Sequence, residues 1–310
     1  MKRLGSWLMG RSGQEYTRFY LATTEHHKRV QALLDDSRHL FVEDRELQLA
    51  SLLESGDSWL AEEAGKLWGM MRLQSKDCSA YPAPRPNIHS VQVLALSRWR
   101  SLQKDVPLLL NAATAHLNEA GSPYQLFVYG SSRWLKQPFL QADFEIVERV
   151  KHLQLDHLSR RMRQLQSSDV AQSTVKICLA QADDYIALAQ LDAAAFDPIW
   201  HWPEPALGKL NQTHHVQVAI HDGQLAGYSA LRLHPPDFAH LARLAVAPAL
   251  QGQRLGQQLL LSALQYAHEH QVQSVGLNTQ ASNEPAQRLY HAFGFRPTGQ
   301  TDPILVKAVI

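Results

Sequence analysis

A G-x-L-x-G segment occurs twice in this chain, as Gly65-Lys66-Leu67-Trp68-Gly69 and as Gly223-Gln224-Leu225-Ala226-Gly227, each time between stretches of alternating character. Asp222-Gly223 is a strong hairpin signal, because both residue types tolerate the positive φ that a tight turn requires. Other features repeat around it in the same order. Phe19 to Ala22 precedes a helical pattern with Val30, Leu33 and Leu34, and Ile177 to Ala180 precedes one with Ile186, Leu188 and Leu191. The strand Val91 to Leu96 and the leucines 108 to 110 register with Leu241 to Ala247 and the leucines 259 to 261. Such a chain folds as two copies of one α+β unit. Its 310 residues exceed a single core and suit two domains of roughly 150 residues. The expected boundaries are a first domain over 1–158, an Arg-, Gln- and Ser-rich linker over 159–173 and a second domain over 174–310.

The second copy contains the most telling stretch, His240 to Gly256, H-L-A-R-L-A-V-A-P-A-L-Q-G-Q-R-L-G. Leu244, Ala245 and Val246 suit a half-buried strand that Pro248 ends. From Leu255, the apolar residues Leu259, Leu260, Ala263, Leu264 and Ala267 recur at helical spacing. The first turn of that helix holds no acid. Free backbone N–H groups over Gly252, Gln253, Arg254, Leu255, Gly256 and Gln257 therefore converge at a helix N-terminus, where the dipole favours an anion such as pyrophosphate. Gly252 and Gly256 are expected to provide positive φ and close approach. About thirty residues on, Ser282 or Asn283 caps a helix with Pro285 in its first turn. Ala286, Leu289, Tyr290 and Phe293 fall on one face of it, and Gly294 ends it.

These two segments resemble the acetyl-CoA-binding motif of the GNAT N-acetyltransferases. The family's loop pattern is Gln/Arg-x-x-Gly-x-Gly/Ala; Gln251 and Gly256 match it, while Arg254 stands where the middle glycine is usual. The run N-x-x-A-x-x-L-Y-x-x-F-G-F from Asn283 to Phe295 matches the later motif in order and distance. The resemblance implies an α+β fold of two tandem GNAT-like domains, each a central mixed, mostly antiparallel sheet flanked by helices. It also implies acetyl-CoA as co-substrate, bound by Leu244 to Val246, by Gln251 to Gln257, by Asn283 and by Tyr290.

Acyl transfer requires a neutral amine, a donor for the developing oxyanion and a proton for the departing thiolate. The resemblance assigns the donor to a backbone N–H in Leu244 to Val246, beside which the family adds the pantetheine arm as a strand. It assigns the proton source to Tyr290, although the same ring could serve only as packing. His240 falls where Gcn-type histone acetyltransferases carry a glutamate, which makes it the candidate base; a solvent-facing strand-end histidine is the bland alternative, and His234 and Asp237 are substitutes. Phe196, Asp197, Trp200, His201, Trp202 and Pro203 follow the first helix of the second copy, where the family commonly lines its acceptor site. Phe196, Trp200 and Trp202 are the candidate substrate contacts, unless the tryptophans are simply buried.

Carried back by the offset of the leucines, the loop becomes Arg100 to Asp105, with no glycine. Asp105 then caps the helix itself, and Pro107 removes a donor. The same offset sets Phe139 against Tyr290 and His89 against His240. The first copy is therefore expected to be degenerate and non-catalytic.

Composition closes other routes. A net charge of +1 with signs interspersed gives no nucleic-acid or membrane footprint. No apolar run reaches the roughly twenty residues of a membrane span, and the start of the chain lacks a signal-peptide pattern; a cytoplasmic protein is the default. Cys78 and Cys178 imply no disulfide framework. The 16 histidines fall in no H-E-x-x-H arrangement, so no metal is expected. No G-x-S-x-G elbow or P-loop is present. The sequence reads as an acetyl-CoA-dependent N-acetyltransferase for a primary amine, attacking directly in a ternary complex. A small molecule is preferred over a protein amine as acceptor, and the chain forms an intramolecular pseudo-dimer that need not associate further. The alternatives are a non-enzymatic acyl-CoA-binding or regulatory module and a purely structural pseudo-dimer.

Overall fold

The computed structural model describes residues 7–12, 15–43, 48–54, 56–76, 86–166, 175–202 and 204–309. Cys78, Pro203 and residues 167–174 lie outside this set. The chain divides into two compact units. The first takes the described residues up to Lys76, those from 86 to Val147 and those from Asp302 to 309; the second takes those from Glu148 to Thr301.

The first unit runs β1 (Trp7–Ser12), β2 (Glu15–Leu21), α1 (His27–Asp36), β3 (Ser37–Val42), α2 (Leu49–Glu54), β4 (Ser58–Glu63), β5 (Lys66–Lys76), β6 (Asn87–Ser97), α3 (Leu102–Glu119), β7 (Tyr124–Tyr129) and α4 (Lys136–Gln141). Its sheet has the order β1-β2-β4-β5-β6-β7, with β3 also on β6, and it is antiparallel except between β6 and β7. One core cluster lies around α3 and α4, with Val106, Leu109, Leu126 and Phe139 fully covered. Another lies around α1 and α2, with Val30, Leu60 and Met70.

Next in the chain come β8 (Glu145–Leu155), α5 (Leu158–Gln166), β9 (Lys176–Leu179), α6 (Tyr185–Ala195), α7 (Glu204–Leu207), α8 (Leu210–Thr213), β10 (His215–His221), β11 (Gln224–His234), β12 (Phe238–Val246), α9 (Leu255–Glu269), β13 (Ser274–Gln280), α10 (Glu284–Ala292) and β14 (Arg296–Val309). In the second unit the sheet order is β8-β13-β12-β11-β10-β9, with β12 and β13 parallel. Helices α5, α9 and α10 cover one face through Leu158, Leu260, Leu264 and Phe293, and α6 to α8 cover the other through Leu188, Leu207 and Leu210.

Both G-x-L-x-G segments are hairpins for the same two reasons. Gly65 and Gly223 have φ of +77° and +76° in the turns. A Cβ on Gly69 would meet Leu109 of α3 at 2.8 Å, and one on Gly227 would meet Leu259 of α9 at 3.0 Å. The second glycine thus lets the long helix lie directly on the sheet.

Those contacts also fix the register of the repeat. Leu109 answers to Leu259, and β6 answers to β12 at the same offset, because Leu96 pairs with Gly69 and Val246 with Gly227. Two expectations change. His89 pairs with Ser75 while His240 pairs with Arg232, so the match of His240 is Ser90 and the match of His89 is Ala239. A slip of one residue in a strand moves a side chain to the other face, so the two histidines share no structural role. Asp105 answers to Leu255 rather than Gly256, and α3 begins one turn earlier than α9. Asp105 does cap that turn, accepting from the Ser101 N–H at 2.8 Å. Phe139 holds its match to Tyr290: each carbonyl accepts the N–H five residues on, from Phe144 and Phe295.

The unit boundaries also differ from those read along the sequence. The stretch read as a linker from 159 begins inside α5, whose Leu158, Met162 and Leu165 bury in the second unit's core at helical spacing. At the other end, Ile304 to Val309 pair with β7, which assigns the last strand segment to the first unit. Likewise β13 pairs with Val150 to Leu155 of β8. Backbone pairing, not order along the chain, sets both edges.

Candidate active site

The site is built where β12 loses a neighbour. On one side β11 pairs along β12 to its end, Gly227 opposite Val246. On the other side, β13 pairs only with Phe238 to Leu241. Among the described residues no strand pairs with that edge of β12 beyond Leu241, while β13 continues against β8. An open edge at Leu244 to Val246, where the Val246 carbonyl accepts from the Gln251 side chain, invites an extended ligand. Ala242 is skipped in the pairing, a bulge that turns Arg243 toward α6.

From this edge the chain passes through Pro248–Leu250 into the loop and α9. Gly252 has φ +81° and Arg254 has φ +64°. Arg254 thus takes the left-handed conformation, the position where a glycine costs least. Gly256, in contrast, is within the first turn of α9; its missing Cβ matters because one would lie 3.4 Å from Leu289. The expectation of positive φ at Gly256 is corrected accordingly. The backbone N–H groups of Gly252 to Gly256 donate to nothing among the described residues, and the first turn of α9 carries no acid. Such an arrangement of unopposed donors suits an anion.

A cavity of about 320 Å³ joins the edge, the loop and α10. Of the residues singled out above, it is lined by Phe196, Leu244, Ala245, Val246, Gln251, Gly252, Arg254, Leu255, Gly256, Gln257, Asn283 and Tyr290. Leu250, Pro285, Ala286 and Leu289 complete its apolar wall. Gln253, Trp200, Trp202 and His240 do not line it. Asn283 is the cap of α10, its Oδ1 accepting from the Ala286 N–H at 3.1 Å. Tyr290 is 7 % exposed. Burial pushes its hydroxyl up to about 12, and the positive charge of Arg243 works against that rise.

His240 lies on β12 opposite Gly276 of β13. Burial, and then the histidines 234, 152 and 214, hold its pKa down to about 4. The ring is neutral at pH 7 but a weak proton acceptor.

A buried network that sequence reasoning missed stands behind the cavity. Asp192 of α6 is 0 % exposed. Arg243 donates to it from Nε at 2.7 Å and from Nη2 at 2.6 Å, and also donates to the Trp200 carbonyl at 2.7 Å. Tyr228 and the Trp202 N–H donate to the same carboxylate, and His201 Nδ1 lies 3.2 Å away. Burial pushes the Asp192 carboxyl up, but its bonds to His201, Arg243 and Tyr228 and the guanidinium charge outweigh that and hold it at about 2. Over this pair sit two rings, with the Arg243 guanidinium 3.6 Å from the Phe196 centroid and 5.0 Å from that of Trp202. Trp200 and Trp202 therefore act through their main chains and as packing here. The missed signal was in α6: Asp192 is an acid on the apolar stripe formed by Tyr185, Leu188 and Ala189, and such an acid demands a buried partner.

Among the described residues, no group of three or more His, Cys, Asp or Glu could hold a metal ion. No helix there is long and apolar enough to cross a membrane.

Comparison with known proteins agrees with this geometry. Residues 183–295 match the model of the acetyltransferase (GNAT) family and form a domain of that kind. The chain is 38% identical over 85 residues to a Bacillus subtilis protein assigned to alanine N-acetylation of the ribosomal protein bS18, covering 27% of this chain and 56% of that one. It is 35% identical over 78 residues to mycothiol acetyltransferase of Thermomonospora curvata, covering 25% and 26%. The chain thus spans between about a quarter and about half of these curated relatives. Over 94% of its length it shares the fold of a tandem GNAT protein from the clavulanic acid biosynthesis pathway, at 16% identity and a TM-score of 0.63, covering 98% of that structure.

Proposed function

We propose, from the premise that residues 183–295 are a GNAT acetyltransferase domain, that this chain moves an acetyl group from acetyl-CoA to a primary amine by direct attack in a ternary complex. One observation carries the reading: a single cavity combines an open strand edge, an unopposed cluster of backbone donors and a buried tyrosine. The group fits the residues present. The N–H groups of Gly252 to Gly256 suit the diphosphate, the free edge at Leu244 to Val246 suits an extended amide-bearing arm, and Asn283 and Tyr290 close the inner end. Acetyl-CoA supplies an activated acyl group; the chain's residues supply position and polarity.

The backbone N–H groups at the β12 edge stabilise the negative charge that develops on the acyl oxygen. Tyr290, in the same cavity lining, would serve the departing sulfur. With its hydroxyl near 12 and a thiol near 8.5, full proton transfer is uphill by about 3.5 pKa units, or roughly 5 kcal/mol. Tyr290 therefore acts chiefly by donating a hydrogen bond to the thiolate, helped by the guanidinium charge of Arg243. His240 is outside the cavity lining. We assign the amine's proton to solvent, lost before the neutral amine attacks.

The relatives' names point to different acceptors, among them an alanine of a ribosomal protein. For this chain a small-molecule amine is our preferred acceptor, since Phe196 gives the cavity an aromatic wall and the sequence carries no acidic or basic run suited to a polymeric partner. Release of free thiol over a panel of small amines and an N-terminal alanine peptide tests this. Tyr290→Phe should lower kcat about 10²-fold and leave acetyl-CoA affinity within about twofold. Binding without turnover on any amine would reduce the chain to an acyl-CoA-binding module, and no binding at all would remove the reading.

A further inference from the structure

The first unit contains a second cavity, of about 530 Å³, at the C-terminal half of α3. It lies about 20 Å along the helix axis from Ser101, so it is not the counterpart of the acyl-CoA loop. Trp59 and Leu73 form its apolar floor, and Asp57, Ser75, His116 and Glu119 surround it. Neither Asp57 nor Glu119 takes part in an ion pair among the described residues, and no lysine or arginine lines the cavity. Arg72 lies close enough to feel the charge of Asp57 but does not reach the lining.

The repeat supplies an internal control. In the register fixed above, Asp57 answers to His215, Ser75 to Leu233 and His116 to Tyr266. In the second unit that corner is shut, because Tyr266 stacks on His215 with ring centroids 3.4 Å apart and 8° between planes. In the first unit Asp57 has no ring to offer. His116 reaches instead toward Trp59, 6.3 Å between centroids. Three apolar or aromatic positions have become two polar ones and an acid, and space has opened between them. A second departure supports a ligand: His89, 9 % exposed, lines the cavity where the second unit has Ala239, and its Nε2 is buried without a hydrogen-bond partner. Burial and then His116 lower its pKa against the opposing charge of Asp57, so the ring is neutral. A buried polar atom left unsatisfied is costly.

We propose that this cavity binds a small organic ammonium ion, its apolar body against Trp59 and Leu73 and its charged head held by the carboxylates of Asp57 and Glu119. The volume suits a small ligand. Two carboxylates outside any ion pair, in a lining without lysine or arginine, select a cation, and the indole adds attraction for it. The first unit is then an amine-binding domain in its own right, whatever the second unit does.

Calorimetry on the full chain at pH 7 tests this, with phenethylammonium chloride as the probe and 2-phenylethanol as its neutral counterpart. Phenethylammonium should bind saturably, and the alcohol at least about tenfold more weakly, which is about 1.4 kcal/mol. The double variant Asp57→Asn, Glu119→Gln should lose at least about tenfold in affinity for the cation. His116→Tyr, which installs the ring that shuts the other corner, should abolish the binding. An unchanged thermal transition shows that each variant is folded. No binding of the cation at about 10 mM would overturn the proposal, as would equal affinity for the alcohol or full affinity in the folded carboxamide variant. Cation binding that these first-unit variants leave untouched would place the site in the acetyltransferase cavity and overturn it equally. Failure of acetyl-CoA to bind would sink the proposed function without touching this result.

Discussion

Arg254 holds a left-handed conformation, φ +64°, that its side chain makes costly by about 1 kcal/mol. Its side chain lines the cavity proposed to hold the diphosphate, and contact with that anion would be the compensation. Arg254→Gly should therefore raise unfolding stability by up to about 1 kcal/mol and weaken acetyl-CoA binding about tenfold, a split read by thermal unfolding and calorimetry on the same samples. His240 carries the second prediction at this scale. Its pKa falls from 6.5 in the unfolded chain to about 4 in the fold. The unfolded state thus takes up a proton before the native state does. The stability this histidine supports is present above pH 6.5 and is lost as pH falls from 6.5 to about 4, by roughly 3 kcal/mol in total. Urea unfolding of wild type and His240→Gln should converge toward acid pH. At pH 7 the variant should keep turnover within about threefold; a loss of about 10²-fold would make the ring the base after all. Residue chemistry was only partly legible in the sequence. Tyr290 and Asn283 stand in a local motif and declare themselves. Asp192 and Arg243 are 51 positions apart, and only tertiary packing brings them together.

At the scale of elements, α3 and α9 are one helix used in two ways. Both lie on the sheet through a glycine, Gly69 or Gly227. In α9 the first turn stays unwound as the loop Gly252 to Arg254, leaving its N–H groups open. In α3 the matching residues are already helical, and Asp105 occupies the end by accepting from Ser101. Asp105→Ala should cost about 1 kcal/mol of stability and give the first unit no affinity for acetyl-CoA, because the extra turn fills the loop's place. Gain of a second binding site in calorimetry would contradict this account. Elements with strong periodicity, such as α9 and α10, were readable to within a residue or so. The repeat was readable too, but its register was not. The leucine runs at 108–110 and 259–261 align best run on run, and only the contacts of Gly69 and Gly227 with Leu109 and Leu259 show that the true register lies one residue away. Helix α5 was hidden by its many Arg and Gln residues, although Leu158, Met162 and Leu165 already marked a buried stripe.

For the molecule as a whole, the edges of the two sheets matter most. Strand β7 of the first unit is completed by Ile304 to Val309, and β13 of the second by residues 150–155. No local signal marks either pairing, since a strand's sequence specifies its pattern and not its neighbour. A fragment over 1–158 lacks the partner of β7, and one over 174–310 lacks both the partner of β13 and α5. Each fragment expressed alone should show broad, non-cooperative unfolding or aggregate, while the two co-expressed should recover a cooperative transition. A sharp transition in either isolated fragment would contradict this. The same arrangement bears on how the protein is made. Until residues 302–309 have been synthesised, β7 stands as a bare edge whose amide groups can pair with any passing extended chain. The growing polypeptide is therefore most exposed to misassembly between the synthesis of β7 and that of residues 302–309, and a chaperone that shields that edge would guard it until closure.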